Sequence, residues 1–442
     1  MSMQISLDER LKEEFTAEVE GTPSTATRQA RVHRDDDAET VDDVRGAHDG
    51  EMLYRYFGIT PFHKALRAFD RRDHPVTRFP SAYLDAVVHV DDAEIWALED
   101  GDIGYFEEQG APRTRIEVMK WLAERPEIVG RLSDGGTDMH AHSKPGGGKT
   151  SFGMLPGVVR LMEINNETIL WPLPADKTGL VEEVEILPMA PYMTLLRPKG
   201  VEISAEFVPK NPRLDKVDVD LTTPHPFRNV IEYEDPVDIL ENIVLRGGAY
   251  AILPDPRFRE CERLTATNYV TPDEADDISE VTRLRYWDHA LMAARAKADQ
   301  FLHPSTVIED EFSDLVPMNP KADASDTHQK VKSWPEVYGK ARKKNHSLVS
   351  MSHSINRIDP DVLEKERWFV TMPDTDVPSS VPGISKPPVS TQFMSGKPKG
   401  TAVVWTNNRF AEVGWSNPYR TIDFRGELNI EYPGWREAML RV

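Results

Sequence analysis

The chain has 442 residues, of which 39% are hydrophobic and 29% are charged, and its formal net charge is -21. This length predicts one large domain with appendages, or two to three domains, and the acidic balance excludes a protein coated uniformly by nucleic acid. The acidic excess favours a halophilic source over an ordinary acidic cytosolic protein, and the single cysteine, Cys261, excludes an internal disulfide or a cysteine zinc cluster.

The N-terminal segment, "MSMQISLDERLKEEF", contains no signal-peptide core, and no apolar run approaches the roughly 20 residues that cross a bilayer. We therefore expect a cytoplasmic protein that is not itself transmembrane. Residues 1–50 are polar and acidic, as in "HRDDDAETVDDVRGAHDGE". They predict a disordered tail, because they offer almost nothing to bury.

Residues 51–135 predict a small α+β N-terminal module. The stretches "EMLYRYFGITPFHKALRAF" and "TRIEVMKWLAERPEIVGRL" place apolar residues at helical spacing. Between them, "YLDAVVHVDDAEIWALEDGDIGYF" at residues 83–106 favours short strands. No residue type in this module points to catalysis.

Strand-like and helical runs alternate from about residue 136, which predicts an α/β core over residues 136–372 with a mostly parallel sheet and helices on both faces. Residues 373–400 are rich in Pro, Ser and Gly, a composition typical of a linker. The later stretches "TAVVWTNNRF" and "RTIDFRGELNIEY" predict strands. Residues 373–442 are therefore expected to form a linker and a β-rich C-terminal extension, as an edge extension of the sheet or as a small cap.

The stretch "SKPGGGKT" follows the first strand of this core and fits a phosphate-binding loop, except that Ser143 stands where the pattern has glycine. Three consecutive glycines let backbone N–H groups turn toward phosphate. Lys149 is expected to reach the β- and γ-phosphates, Thr150 to ligate Mg²⁺, and the helix beginning near Ser151 to direct its positive end at the phosphates. The expected ligands are ATP and Mg²⁺. The expected nucleotide-binding residues are Ser143, Gly146, Gly147, Gly148, Lys149, Thr150 and Ser151.

A second motif, "STVIEDEFSDL" at residues 305–315, predicts a buried strand that ends in carboxylates. Asp310 is expected to serve Mg²⁺, and Glu311 to act as the general base that orients the attacking water. Glu309 competes for either role. An earlier apolar strand, in "GGAYAILPDPRF", ends at Asp255 but has no second acid and is interrupted by proline, so the later motif is preferred.

The segment "VIEDEFSDL" resembles the second nucleotide motif of the FtsK–HerA superfamily of DNA-pumping ATPases, where an apolar strand ends in Asp-Glu-Phe with a downstream Asp-Leu. The segment "YGKARKKNHSLVSMSHSINRIDPDV", residues 338–362, is similar to the helix and sensor strand that follow in this family. The family's sensor is usually a Thr-Gln pair, and this chain has Ser352 and His353 at the matching positions. The resemblance covers roughly residues 136–372 and predicts that His353 senses the γ-phosphate or the lytic water.

This resemblance implies a RecA-like P-loop core and a homo-oligomeric ring, usually a hexamer, through which double-stranded DNA is threaded. It also implies that a neighbouring subunit's arginine completes each site, with Arg342, Arg357 and Arg367 as candidates among which the sequence does not choose. The function implied is an ATP-driven DNA translocase in viral genome packaging, mobile-element transfer or chromosome processing, with a portal, capsid or membrane-anchored partner. The acidic composition and unfamiliar flanks favour a haloarchaeal virus or mobile element.

Two side-chain groups admit two interpretations each. A basic cluster near the end of a predicted helix would face DNA or would form a solvated helix end, where cations oppose the helix dipole. His140 and His142 lie on one side of the predicted first strand and would bind metal or, as we prefer, pack structurally. The basic cluster consists of Lys340, Arg342, Lys343 and Lys344.

Two other functions remain open. A terminase-like packaging motor would need a nuclease domain with metal-binding acids, for which Asp374, Asp376 and Asp423 are scattered candidates. A nucleotide-binding structural or assembly protein would bind ATP tightly without turnover.

Overall fold

The computed structural model describes the core of the chain and parts of its flanks. The predicted acidic tail, residues 1–50, lies outside the described residues, as does the helical stretch expected at residues 51–69. Within the part of the chain that is described, no helix is long and apolar enough to cross a membrane. The described residues are 86–88, 90–126, 129, 138–154, 164–173, 186, 190, 193–209, 215–223, 227–271, 284–298, 304–414 and 426–433.

The strands follow in chain order as β1 Asp138–His142, β2 Thr168–Pro172, β3 Thr194–Pro198, β4 Ser204–Pro209, β5 Val217–Asp218, β6 Asn229–Tyr233, β7 Ala249–Ile252, β8 Ser305–Glu309, β9 His346–Ser352, β10 Trp368–Thr371, β11 Thr401–Trp405, β12 Phe410–Gly414 and β13 Gly426–Glu431. The helices are α1 Asp92–Glu99, α2 Gly104–Glu108, α3 Arg113–Ala123, α4 Lys149–Phe152, α5 Pro236–Asp238, α6 Cys261–Thr265, α7 Trp287–Lys297, α8 Phe312–Leu315, α9 Thr327–Arg342, α10 Pro360–Leu363 and α11 Thr391–Met394. A π-helical turn, Ile239–Ile243, extends α5, and 3₁₀ turns cover Leu284–Tyr286 and Ile355–Arg357.

One large sheet has the strand order β12-β11-β10-β1-β9-β8-β2-β7-β3-β6. All pairs from β10 to β6 are parallel, whereas β11 and β12 pair antiparallel at the edge. The predicted α/β class with a mostly parallel sheet is confirmed. Parallel strands all have their carboxyl ends on the same side of the sheet. The segments that follow β1, β8 and β9 therefore meet along this carboxyl-end edge.

The centre of this sheet is buried on both faces, as its apolar composition requires. Every residue of β2, β8 and β9 is buried, and so is nearly every residue of α7. Within α7, Arg295 donates hydrogen bonds to the carbonyl oxygens of Ser305 (3.0 Å) and Ser347 (3.2 Å), near the starts of β8 and β9. Burial lowers the pKa of this guanidinium to about 10, so it stays charged at neutral pH and holds the two strands together.

The strands expected between residues 83 and 106 are helices where the structure describes them. α1 begins after Asp91, whose carboxylate accepts from the backbone N–H of Glu94 (2.9 Å), while the Glu94 carboxylate accepts from the backbone N–H of Asp91 (3.0 Å). This reciprocal capping box starts a helix and outweighs the alternation of apolar residues that suggested strands. The strand prediction was therefore wrong for residues 92–99 and 104–106, which are helical.

Buried ion pairs anchor these N-terminal helices to the core. Arg115 in α3 is fully buried; its guanidinium lies 2.7 Å from a carboxylate oxygen of Glu94 and donates to the carbonyl of Ile164 (3.1 Å), just before β2. Arg246, before β7, binds the other Glu94 oxygen at 2.8 Å. Burial alone would raise the pKa of Glu94, but the two guanidinium groups hold it below its ordinary value. The helices therefore attach at the sheet edge where β2 and β7 begin.

The C-terminal extension is divided between two sheets. β11 and β12 extend the large sheet, with Val404 opposite Val370 of β10. β13 pairs antiparallel with β4, which also pairs with β5 in a separate three-stranded sheet. Both predicted strand regions are thus present, one as an edge extension and one as part of a smaller sheet.

Replacing Arg115 by Met should destabilise the fold by about 3–5 kcal/mol, because it leaves a buried carboxylate without its nearest cation. Arg125 follows α3, pairs at 3.4 Å with the exposed Glu124 and supplies the control. Arg125→Met should cost less than about 1 kcal/mol. Chemical denaturation measures both free energies of unfolding, and equal values would show that the Arg115–Glu94 pair does not anchor the helices.

Candidate nucleotide-binding site

The loop between β1 and α4 needs its three glycines for two reasons. Gly146 and Gly148 have φ angles of 71° and 102°, a region that L side chains rarely adopt. Gly147 lacks a positive φ but has no room, since a Cβ there would lie 2.1 Å from Ser143 Oγ and 3.0 Å from the carbonyl oxygen of Lys144. The glycine run is therefore fixed by backbone conformation at two positions and by space at the third.

Ser143 is buried at the point where the loop leaves β1. Its hydroxyl donates to the carbonyl of Lys144 (2.7 Å), and its backbone N–H donates to the carbonyl of Ser352 (3.2 Å) at the end of β9. The hydroxyl of Ser151 donates to the carbonyl of Gly148 (2.9 Å), so this side chain braces the loop while its backbone N–H lies in the first turn of α4. The backbone of the first loop residue thus ties the loop to β9, and its serine side chain bonds within the loop.

The carboxylate motif lies directly against this loop. Thr150 Oγ1 donates to Asp310 Oδ2 at 3.1 Å, joining the start of α4 to the residue after β8. Adjacent oxygen ligands of an octahedral Mg²⁺ are roughly 2.9 Å apart, given metal–oxygen distances near 2.0–2.1 Å. A hydroxyl and a carboxylate at this spacing are oxygen donors of the kind Mg²⁺ prefers, so the pair fits the expected ion.

An ammonium group, a carboxylate and an imidazole ring contact one another beside the loop. Lys149 Nζ lies 3.3 Å from Glu311 Oε1 and 2.9 Å from His353 Nδ1, and His353 Nε2 lies 3.0 Å from Glu311 Oε1. An ammonium group only donates, so His353 Nδ1 accepts from Lys149 and its Nε2–H donates to Glu311. The structure therefore brings together the three residues expected to be catalytic.

Glu311 adopts a backbone conformation that is uncommon for a residue with a side chain. Its φ is 48°, and it immediately precedes α8. Its N–H donates to Asp310 Oδ1 (2.8 Å), so the carboxylate of Asp310 also holds the peptide between the two acids. Left-handed non-glycine residues cluster at functional sites, where surrounding contacts enforce them.

The competing acids are engaged elsewhere. Glu309 is only 2% exposed and lies 3.6 Å from the guanidinium of Arg285, and burial raises its pKa to about 7. Asp255 is also buried and is bound by Arg257 (3.1 Å) and Arg259 (2.6 Å). Neither carboxylate is placed to act on a nucleotide at the loop.

Arg285 is the residue that sequence reasoning missed. It belongs to the 3₁₀ turn before α7, is 4% exposed, and donates to the carbonyl oxygen of Asp310 in addition to pairing with Glu309. No spacing pattern connects a turn arginine with a strand end 25 residues later, so only the folded arrangement reveals the contact.

Ser352 and the two histidines of β1 lie in the core. His140 Nδ1 is 2.8 Å from Ser350 Oγ and its Nε2 is 3.0 Å from Ser352 Oγ, so the hydroxyl of Ser352 points into the core, and of the two sensor side chains it is His353 that contacts the loop. Burial lowers the pKa of His140 well below its ordinary value and that of His142 to about 4, so both rings are neutral at pH 7. Their contacts agree with the structural interpretation of this pair.

The candidate arginines separate by position. Arg342 and Arg367 lie 3.5 and 3.9 Å from Asp138, at the start of β1 and thus at the edge opposite the loop. Arg357 is exposed in the turn after β9, at the same edge as the loop. Of the three candidate arginines, Arg357 is the one that is both exposed and at the edge of the sheet that carries the loop.

The basic cluster at the end of α9 lies at the opposite edge, where β9 begins. Lys340 pairs with Glu336 (2.7 Å), and Lys344 donates to the carbonyl of Ala298 (2.9 Å). These contacts agree with the helix-end interpretation.

Of the acids considered for a nuclease, Asp374 and Asp376 are exposed and Asp423 lies outside the described residues. In the described ranges, no three His, Cys, Asp or Glu residues are grouped to hold a metal.

No protein-family model and no curated protein matches the chain. Solved structures do match it, at low identity. The genome packaging NTPase B204 of Sulfolobus turreted icosahedral virus 2, in complex with ATP-gammaS, is 10% identical over 63% of this chain and 96% of its own, with a TM-score of 0.32. The bacterial conjugative coupling protein TrwB is 14% identical over 41% and 44%, with a TM-score of 0.25. EssC (ATPases 2 and 3) of Geobacillus thermodenitrificans is 10% identical over 70% and 43%, with a TM-score of 0.30.

Gly147→Ala should weaken ATP binding about tenfold or more, because the new methyl group overpacks the loop against Ser143. The double variant Ser143→Gly/Gly147→Ala should recover most of the affinity, since two of the three nearest atoms belong to the serine side chain. Titration with a fluorescent ATP analogue gives the dissociation constants. Ser143→Gly alone, which restores the usual loop pattern, should bind within about threefold of the unmodified chain. Equal losses in the single and double alanine variants would show that Ser143 does not shape the loop.

Proposed function

We propose that the protein is an ATP-hydrolysing motor of the FtsK–HerA kind that moves double-stranded DNA. The observation that carries this proposal is the convergence of the two motifs: Thr150 contacts Asp310 at 3.1 Å, and Lys149 contacts Glu311 at 3.3 Å. A glycine loop alone would support nucleotide binding. A loop joined to a metal-serving carboxylate and a second acid supports hydrolysis.

In this proposal Glu311 orients a water molecule and accepts its proton while the water oxygen attacks the γ-phosphorus. The new P–O bond forms as the bond between the γ-phosphorus and the β,γ-bridging oxygen breaks, leaving ADP and phosphate. Lys149 stabilises charge on the β- and γ-phosphates, and His353 links this ammonium group to Glu311. Thr150 and Asp310 would hold Mg²⁺, which would neutralise negative charge on the β- and γ-phosphates.

The hexameric ring and the DNA substrate come from the motif resemblance. In such a ring a neighbour's arginine completes each site, and Arg357 is our candidate because it is exposed beside the loop edge. The biological setting proposed is packaging of a viral genome or transfer of a mobile element, with a portal, capsid or membrane-anchored partner. An acidic surface repels DNA over most of the molecule, so the proposal requires contact at a restricted surface such as a ring pore.

Lys149→Ala and Glu311→Gln should each reduce DNA-stimulated ATP hydrolysis at least about 100-fold, because one removes phosphate charge stabilisation and the other removes the water-orienting base. Glu311→Gln should still bind ATP, since its change lies beyond the loop. Lys340→Ala is the matched control: it removes an exposed lysine at the far edge and should leave hydrolysis unchanged. Phosphate release is measured with and without duplex DNA. DNA-independent hydrolysis by a protein that never oligomerises contradicts the translocase, and tight ATP binding without turnover indicates the assembly-protein alternative.

Arg357→Ala should abolish hydrolysis without weakening ATP binding, because this arginine acts on the adjacent subunit's nucleotide. Mixing it 1:1 with Lys149→Ala, which is inactive for a different reason, should restore activity at about a quarter of the sites, where an intact loop faces an intact arginine. The mixture is refolded or coexpressed, and its rate is compared with that of each variant alone. A mixture as inactive as its components rules Arg357 out as the residue supplied in trans.

A further inference from the structure

A compact buried charge cluster lies behind the carboxylate motif. Arg285 is its cation, with Glu309 at 3.6 Å and Asp288 one helical turn further along the chain at the start of α7. Both carboxyl groups are buried, and burial raises the pKa of Asp288 well above its ordinary value and that of Glu309 to about 7, while the positive charge of Arg285 opposes both shifts. The same guanidinium group donates a hydrogen bond to the backbone carbonyl of Asp310. The ion pair with Glu309 explains why an arginine is buried here but gives no reason for its contact with a neutral carbonyl.

That contact acts on one particular peptide. The carbonyl of Asp310 and the N–H of Glu311 belong to the same planar unit, and both ends are held: Arg285 binds the oxygen, and Asp310 Oδ1 accepts from the N–H at 2.8 Å. The φ angle of Glu311, 48°, is measured from this plane. Fixing the plane therefore fixes the direction in which the Glu311 side chain leaves the strand end.

We propose that Arg285 is a positioning residue that holds the Asp310–Glu311 peptide in the orientation in which Asp310 meets Thr150 and Glu311 meets Lys149. This inference rests on the proposed function, because it assigns Arg285 to the same hydrolytic site. Arg285 acts through the backbone of the two acids, and through Glu309 it links them to the turn before α7.

The test compares Arg285→Met with Arg285→Lys in the full chain. Arg285→Met removes the carbonyl contact, so kcat should fall about 100-fold, and the KM for ATP in Mg²⁺ should rise by no more than the gain in affinity that Mg²⁺ gives the unmodified chain. Affinity for ATP in EDTA should stay within about twofold, whereas the gain in affinity on adding Mg²⁺ should be lost, because Asp310 is displaced. A lysine can donate to the carbonyl or pair with Glu309 but lacks the guanidinium fork, so Arg285→Lys should restore part of kcat.

Arg115→Met is the matched control, since it removes another buried arginine far from the loop. At a temperature where it is folded, its kcat and its response to Mg²⁺ should match those of the unmodified chain. If Arg285→Met does not fold, Arg285→Met/Glu309→Gln removes a cation and an anion together and keeps the net charge of the cluster. It should show the same loss of Mg²⁺ response.

Positioning by Arg285 is overturned if Arg285→Met, or the double variant, keeps kcat within twofold, or if ATP affinity falls equally with and without Mg²⁺. The proposed function fails separately, through absence of hydrolysis in the unmodified chain. In that case the comparison of ATP binding in EDTA and in Mg²⁺ still decides whether Arg285 orients Asp310.

Discussion

The parallel pairing of β1 with β9 and of β9 with β8 is the constraint on which the site depends. Parallel strands end at one edge, so three segments that are far apart in the chain deliver their polar ends to one place. The phosphate loop follows β1, the acids follow β8, and His353 follows β9. An antiparallel neighbour in any of these positions would have sent its polar end to the opposite edge and left the loop without a partner.

The two edges of the sheet carry different kinds of polar group. Where β8 and β9 begin, Arg295 binds Ser305 and Ser347, and where β2 and β7 begin, Arg115 and Arg246 bind Glu94. These guanidinium groups serve stability, because each satisfies carbonyl or carboxylate oxygens that would otherwise be unpaired. At the opposite edge the side chains of Lys149, Glu311 and His353 bind one another; Lys149 is buried, whereas Glu311 and His353 are each 34% exposed. The ion pairs that hold the strands therefore lie at one end of the sheet, and the polar cluster of the candidate site lies at the other.

The sequence allowed prediction of the features that depend on local spacing. The glycine run, the apolar strand ending in Asp310 and Glu311, and the alternation of strands and helices are all visible in short windows. Contacts between distant segments were not predictable in this way. A helix replaced the expected strands after Asp91 because a capping box with Glu94 overrides alternation. Arg285 was not predicted because its contact is with a backbone carbonyl 25 residues away, and a carbonyl leaves no mark in the sequence.

The two departures from familiar patterns, Ser143 in the loop and His353 in the sensor, meet in space. The N–H of Ser143 binds the carbonyl of Ser352, and the Ser143 carbonyl oxygen lies 3.3 Å from His353 Nδ1. Both contacts involve the backbone of Ser143, so a glycine at this position would supply them too, and the serine leaves the junction between the loop and β9 intact. The histidine ring then spans from this junction to both Lys149 and Glu311. A shift of the loop would therefore reach Glu311 through His353, because one ring nitrogen contacts Lys149 of the loop and the other contacts the Glu311 carboxylate.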